Sequence, residues 1–503
     1  MSAFLGVDIG TYQSKGVLVD AGGRLLATAV RPHQMLVPQP GWAEHRPEQD
    51  WWGEFASITM ELLAATRLPA TAVKAVGASA IGPCMLPVDA DGTALMNAVL
   101  YGVDTRAAAE IDELTRQIGE SRLIEIGAAK LTSQSVGPKI LWLQRHRPEI
   151  YAKAAHIVTS TSYLVQRLTG EVVIDHYSAG GFTPLYDVRR RCWSEELAAG
   201  IIETSRLPRL AETTEVVGTV TQRAAAQTGL AVGTPVIAGT IDAAAEAFSI
   251  GVHAPGDLML MYGSTIFTIL VTPTPVRDPR LWYQPWIMPG LHASAAGLAT
   301  SGTLTHWFQD QLARELSGNE GIPALTREAA VIPPGADGLL VLPYFSGERT
   351  PLHDPYAKGC VFGLTLAHTR AHLFRAVLEG IACGVRHLLS AYSEAGHAPR
   401  RVVAVGGGVH NPVWLQATSD ICGIEQILPT HTIGASFGDA MLAAIAVGAA
   451  SAADVQGWNP SNGTVRPEAS RKSRYDRQFA LYRQLYERTK DLMKALPLAV
   501  DGD

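Results

Sequence analysis

Residues 235–251 read PVIAGTIDAAAEAFSIG, and the position of Asp242 in that stretch decides how the chain is to be folded. A short apolar run ends in Gly-Thr, and the carboxylate falls just before an alanine-rich helical segment. One acidic group is therefore expected at a strand-to-helix junction, where unpaired backbone N–H groups are free to receive anions. A carboxylate so placed can hold a magnesium ion or take a proton from a hydroxyl nucleophile, and both tasks belong to phosphoryl transfer. It can equally cap the helix, since Asp is a favoured N-cap residue.

The segments on either side share one device. Downstream, a strand pattern over 257–262 runs into Gly263-Ser264-Thr265 and a second strand over 266–271. At the N-terminus, a strand over 4–9 runs through Asp8-Ile9-Gly10-Thr11-Tyr12-Gln13-Ser14-Lys15 into strands over 15–20 and 24–30. Such a turn can wrap phosphate oxygens with N–H and hydroxyl donors while the acid orients a metal ion, although plain hairpins use the same residues. Strand, hydroxyl-rich glycine turn and strand thus open both halves, which implies a duplicated α/β clamp with a central cleft. The loop GVHAPG at 251–256 divides the chain into lobes 1–250 and 251–503. A further small-residue turn is expected in 298–307. A strand over 401–405 ends in Gly406-Gly407-Gly408-Val409-His410-Asn411, where glycines let backbone approach a flat or phosphorylated ligand.

At 503 residues the chain exceeds one ordinary core, which suits two lobes. Hydrophobic residues make up 47% and charged residues 17%, a composition that folds. A net charge of -6 without a dense basic run argues against nucleic acid or an anionic membrane as partner. The five cysteines lack metal-ligand spacing and read as reduced core residues. Neither a basic leader with an apolar segment nor a long apolar run is seen, so the expected location is the cytoplasm. In 41–67 the spacing of Trp51, Phe55, Ile58 and Leu62 puts them on one buried helix face, and 371–392 reads as a long core helix. Asp104 and Arg106, at the end of a short strand, could grip a polyol or form a surface ion pair.

Taken in order, DIGT at 8–11, GWAEHRP at 41–47, GTIDAAAEA at 239–247, YGST at 262–265, SGERTP at 346–351, AVLEGIA at 376–382 and GGGVHNPVW at 406–414 resemble the FGGY carbohydrate kinases, nearest their xylulokinase-like branch. The resemblance implies two ribonuclease-H-like lobes of the actin and hexokinase superfamily, ATP with Mg2+ as donor, and a sugar or polyol hydroxyl as acceptor. By position it implies that Asp242 is the catalytic base and that Asp8, with Asp242, holds magnesium. Thr11, Gln13 and Lys15 match the first phosphate turn, and Gly263 and Ser264 the second. Gly406, Gly407 and Asn411 match the adenosine site, Gly302 and His306 border the nucleotide, and Asp104 and Arg106 align with a substrate-binding pair. Where xylulokinases typically carry Gln-Met-His-Gly against the sugar, this chain has Ile81-Gly82-Pro83-Cys84, so Pro83 faces the acceptor. The expected substrate is a ketopentose of the xylulose type, with another ketose or polyol (ribulose, erythritol or glycerol) as the alternative. An actin-like ATPase or a sugar-binding regulator is the competing class, and a homodimer is one assembly the reading allows.

Overall fold

The computed structural model describes residues 2–316 and 318–496. Its N-terminal half is built on strands β1 (Ala3–Ile9), β2 (Gln13–Asp20), β3 (Leu25–Pro32), β4 (Val73–Ala80), β5 (Val216–Thr219) and β6 (Pro235–Ile237). They lie in the order β5-β6-β4-β1-β2-β3, and the short strand Thr240–Ile241 also pairs with β4. β1 pairs antiparallel with β2 and parallel with β4. The second half repeats this arrangement with β7 (Asp257–Tyr262), β8 (Ile266–Thr272), β9 (Trp282–Pro285), β10 (His292–Leu298), β11 (Arg401–Val405), β12 (Gln426–Pro429) and β13 (Ser461–Val465). Their order is β9-β10-β8-β7-β11-β12-β13, with β7 antiparallel to β8 and parallel to β11. Two α/β lobes of matching topology result, as expected for ribonuclease-H-like units.

Apolar runs buried on both faces and helical spacing account for most of the elements. Helix α1 (Glu54–Thr66) follows a π-helical turn, Pro47–Gly53, and buries Trp51, Phe55, Ile58 and Leu62 completely. The long helix α5, numbered in chain order after α2 (Asp242–Ser249), α3 (Gly302–Leu312) and α4 (Gly321–Ala330), spans Arg370–Glu394. It buries Phe374, Leu378, Ile381, Val385 and Leu388 against the second sheet. Helices α6 (Pro412–Cys422), α7 (Ala435–Ala446) and α8 (Lys472–Ala495) complete that half. In 298–307, where a small-residue turn was expected, Ser301 instead delivers the chain into α3. Residues 176–193 hold a short helix, His176–Ala179, and a two-stranded ribbon.

The lobes exchange helices across their boundary. Residues of α2 share one buried cluster with Met259, Ile269 and Val403 of the second sheet, and residues of α7 join Phe4, Val17 and Ala75 of the first. Small residues make the approach possible. A Cβ on Gly6 of β1 would stand 1.9 Å from the Ser436 carbonyl, and one on Gly438 would stand 2.0 Å from that of Ala245. Either contact is far inside van der Waals distance, so a side chain on Gly6 would push α7 off the first sheet and one on Gly438 would push α7 away from α2. Among the described residues, no helix is long and apolar enough to cross a membrane.

Candidate active site

Asp242 is the first residue of α2, and Ile241 occupies the cap position without a side-chain cap. The capping alternative is therefore not realised: one carboxylate oxygen accepts only from the adjacent Ala243 N–H, at 2.7 Å. The carboxyl is held well above the usual carboxylate range, chiefly by burial and then by the negative charge of Asp8. Asp8 lies on β1 opposite Lys15 of β2 and Ser79 of β4. Burial and Glu246 push it up to about 7, against the opposing effects of the Ser79 hydrogen bond and Lys15. Glu246, one turn along α2 from Asp242, is raised by burial as well. Several carboxylates with Lys15 among them thus form one wall of the cleft, an arrangement that favours an incoming cation.

The turn after β1 is braced from behind. His33 Nε2 lies 3.0 Å from the Gly10 carbonyl and its Nδ1 lies 2.9 Å from Glu54. His45 Nε2 lies 3.1 Å from the Thr11 carbonyl, while its Nδ1 accepts from the Trp51 indole at 3.1 Å. Burial and His33 lower the His45 pKa to about 4, so the ring is neutral, with its proton on Nε2 where it can donate to Thr11. Gln13 is exposed, Lys15 is half-buried, and Thr11 Oγ1 lies 3.3 Å from the Tyr101 hydroxyl. These histidines were not picked out from the sequence. The GWAEHRP segment was the available signal for His45, and nothing local marked His33.

The second lobe supplies a cavity of about 1010 Å3 whose lining includes Gly263, Ser264, Gly302, His306, Gly407 and Asn411. The structure thus brings together six of the seven second-lobe residues expected around the nucleotide. Gly263 and Ser264 offer carbonyls to the start of α3: Gly302 N donates to Gly263 at 3.0 Å and Thr303 N to Ser264 at 3.1 Å. Gly406, the seventh, sits just behind the wall with φ +93, and a Cβ there would lie 2.6 Å from the Tyr262 carbonyl. At Gly407 an added Cβ would meet nothing within 4 Å. Asn411 caps α6 by accepting from Trp414 N and donates to Thr326 of α4, so its amide organises the wall.

On the first lobe, Pro83 lines a smaller cavity of about 160 Å3 together with Gln134, Tyr177, Gln284 and the two neighbours of Asp242, Ile241 and Ala243. Asp104 and Arg106 have a different setting from the polyol grip expected. Both side chains are fully buried. Arg106 donates to Asp104 at 2.7 Å and to Glu44 at 2.9 Å, stacks 3.8 Å from the Trp42 ring centre, and Asp104 accepts from Ala43 N at 2.7 Å. The pair fastens the GWAEHRP segment to the end of its strand, because a buried guanidinium and carboxylate must satisfy each other. Asp439 of α7 also reaches the site unannounced by sequence: its Oδ2 accepts from Ser79 at 2.7 Å, the same hydroxyl that lies 3.2 Å from Asp8.

Residues 3–249 match the family model for the N-terminal domain of the FGGY family of carbohydrate kinases, and residues 258–447 match its C-terminal domain. The chain belongs to that family. It is 30% identical to the xylulose kinase of Bacillus subtilis, with 99% of each chain covered, and 31% identical to the xylulose kinase of Escherichia coli, covering 97% of this chain and all of that one. Its structure superposes on the crystal structure of xylulose kinase from Rhodospirillum rubrum with a TM-score of 0.92 at 32% identity, covering 98% and 99% of the two chains. The protein is an ATP-dependent carbohydrate kinase that acts on a small-molecule sugar.

Proposed function

We propose that this kinase phosphorylates a ketopentose of the xylulose type in the cleft between the lobes, with Asp242 as general base. The observation that carries the reading is the placement of Asp242: a carboxylate at the start of α2, bonded only to its neighbouring N–H, between two residues that line the small cavity. Residues 1–250 form the sugar-binding lobe and 251–503 the nucleotide-binding lobe. The acceptor hydroxyl gives its proton to Asp242 as its oxygen bonds to the transferred phosphorus, and the leaving nucleotide stays on the second lobe. Thr11, Gln13 and Lys15 face the phosphates from one side and Gly263 and Ser264 from the other. Gly302, His306, Gly406, Gly407 and Asn411 shape the adenosine end. Asp104 and Arg106 support the sugar site from beneath through Trp42 and Glu44.

Among the described residues no three His, Cys, Asp or Glu side chains converge into a protein-only metal cage. That suits Mg2+, which commonly takes one or two carboxylates and completes its shell with water and phosphate oxygens. Burial raises both Asp8 and Asp242, with the negative charge of Glu246 adding to it at Asp8 and that of Asp8 at Asp242, which fits such an ion; these two residues would hold it, and it would supply positive charge to the phosphates. The reading places the enzyme in the cytoplasm, beside its ATP, and allows a homodimer.

Pro83 favours a second reading for the acceptor, a related ketose or polyol, because it carries no side-chain donor. Coupled ATP-consumption assays over pentuloses, hexuloses, tetritols and glycerol test both. ATP consumption dependent on a ketopentose is the expected result. Consumption indifferent to every acceptor would remove the kinase reading in favour of an ATPase.

A further inference from the structure

One polar atom in the wall of the small cavity has nothing to bond. Gln284 lies on β9, the edge strand of the second-lobe sheet, opposite Ala293 of β10. Its side chain leaves that sheet and lines the cavity beside Pro83 and Tyr177 of the other lobe. There its Oε1 is buried and accepts no hydrogen bond among the described residues. Buried amide oxygens are nearly always satisfied in folded proteins, so an orphan on a residue that lines a cavity points to a donor that arrives with a ligand.

The surrounding backbone leaves room for this amide. Gly180 has φ −57 and ψ −24, ordinary helical values open to any residue. A Cβ there would nevertheless stand 1.8 Å from Gln284 Oε1 and 2.9 Å from its Cδ. Space for the amide is what glycine provides at this position, since its backbone angles need no glycine. The next residue does the same for Pro83, whose Cβ and Cγ would lie 2.6 and 2.7 Å from a Cβ on Gly181. Of the other polar groups nearby, Gln134 Oε1 accepts from Gly102 N, and the Ser135 and Thr183 hydroxyls bond each other at 2.8 Å.

We propose that Gln284 is an acceptor-binding residue supplied by the nucleotide-binding lobe, its amide oxygen taking a hydrogen bond from a hydroxyl of a neutral sugar or polyol lodged against Pro83. The inference rests on the sugar-kinase reading and sharpens it. A side-chain hydrogen bond that Pro83 cannot make in the first lobe is offset by one accepted by an amide oxygen of the second. The contact also ties sugar binding to the relative placement of the lobes, because its two sides come from different sheets.

The test compares wild type with Gln284→Leu and Gly180→Ala on the same acceptor panel, together with thermal unfolding and nucleotide affinity. Gln284→Leu should raise KM for the preferred acceptor about tenfold or more and change kcat much less, the pattern of a lost binding contact. Its Tm without ligand should hold or rise, because an orphan acceptor is replaced by an apolar group of similar size. Gly180→Ala should raise KM similarly by displacing the amide, and the double variant should be no worse than the single ones. If the Leu variant does not fold, Gln284→Asn, one methylene shorter, carries the test beside Gly180→Ala. Unchanged KM for every acceptor the wild type uses would overturn the proposal and leave the kinase reading standing. A fall in Tm without a KM effect would likewise overturn it, as a structural role. Wild-type ATP consumption that responds to no acceptor would instead remove the kinase reading itself, and this proposal with it.

Discussion

At one topological point the two lobes carry opposite chemistry. In the first, Asp8 stands two residues before the turn glycine, faced by Lys15 on β2 and Ser79 on β4. In the second, Met261 holds that place, faced by Phe267 on β8 and Val405 on β11. The strand order around this point (β3-β2-β1-β4 and β10-β8-β7-β11), the turn and the parallel partner strand are the same on both sides. The local fold therefore rests on the apolar strand pattern and the glycine, and three side chains decide what each copy does. One wall works through charge, with carboxylates displaced from their ordinary range. The other works through backbone and shape, and its glycines hold open about 1010 Å3.

The largest effect expected from breaking this contrast is at Asp242. Asp242→Asn keeps size and most hydrogen bonding but cannot accept a proton, so kcat should fall on the order of 10² to 10⁴ while KM moves little. Because Ile241 rather than Asp242 caps α2, the substitution should leave thermal stability nearly intact. A folded Asn variant with near-normal kcat on the preferred acceptor would sink the assignment. The shape-based wall should respond differently. Gly407→Val adds atoms to open space, so it should weaken ATP binding roughly tenfold or more, by the usual scale of a lost contact, with Tm unchanged. Gly406→Val, at φ +93 and against the Tyr262 carbonyl, should lower Tm as well. Calorimetric titration with ATP separates the two, and equal nucleotide affinity in Gly407→Val and wild type would displace the adenosine end from this cavity.

Transplanting the acid gives a third probe. Met261→Asp would set a carboxylate between Phe267 and Val405 with neither a lysine nor a serine in register. Stability should drop by several kcal/mol at neutral pH and recover in acid as the group takes up a proton. Denaturant unfolding at pH 5 and pH 8 reads this directly. A variant as stable as wild type at both pH values would show that the lobes do not differ in polarity at this point.

The parts of this contrast legible in the sequence are those written in local pattern. Compact apolar runs gave β1, β2, β7 and β8, and 3.6-residue spacing gave the buried face with Trp51, Phe55, Ile58 and Leu62. Asp242 was legible because its strand, turn and helix are contiguous. Asp104 and Arg106 show the limit. Their spacing reveals a polar pair, but whether it lines a pocket or is sealed under Trp42 depends on Ala43 and Glu44, about 60 positions away. Asp439 meets Ser79 across 360 positions and Gln284 arrives from the other lobe's edge strand, so no window of sequence contains either relation.

The smallest effect is the one that isolates charge from chemistry. Asp8 has a folded pKa raised to about 7, against about 4 in an unfolded chain. Between those values the folded protein keeps a proton that the unfolded chain has released, so the slope of stability with pH is negative there. The stabilisation is fully present below about pH 4 and is lost as pH rises through 7. Asp8→Asn cannot titrate, and its amide oxygen can still accept from Ser79. Without nucleotide the variant's advantage over wild type should therefore be larger at pH 8 than at pH 5, by about 1 to 2 kcal/mol, since one pKa unit corresponds to about 1.4 kcal/mol and Asp242 and Glu246 remain to titrate. For a protein with lobes of this size that is a Tm gain of roughly 2 to 8 °C. Activity should be lost in the same variant, the pattern of a site whose charge is kept at the expense of stability. Parallel Tm curves for the two proteins from pH 5 to pH 8 would show that Asp8 is ordinary in the folded state. The charged wall would then owe its character to Asp242 and Glu246 alone.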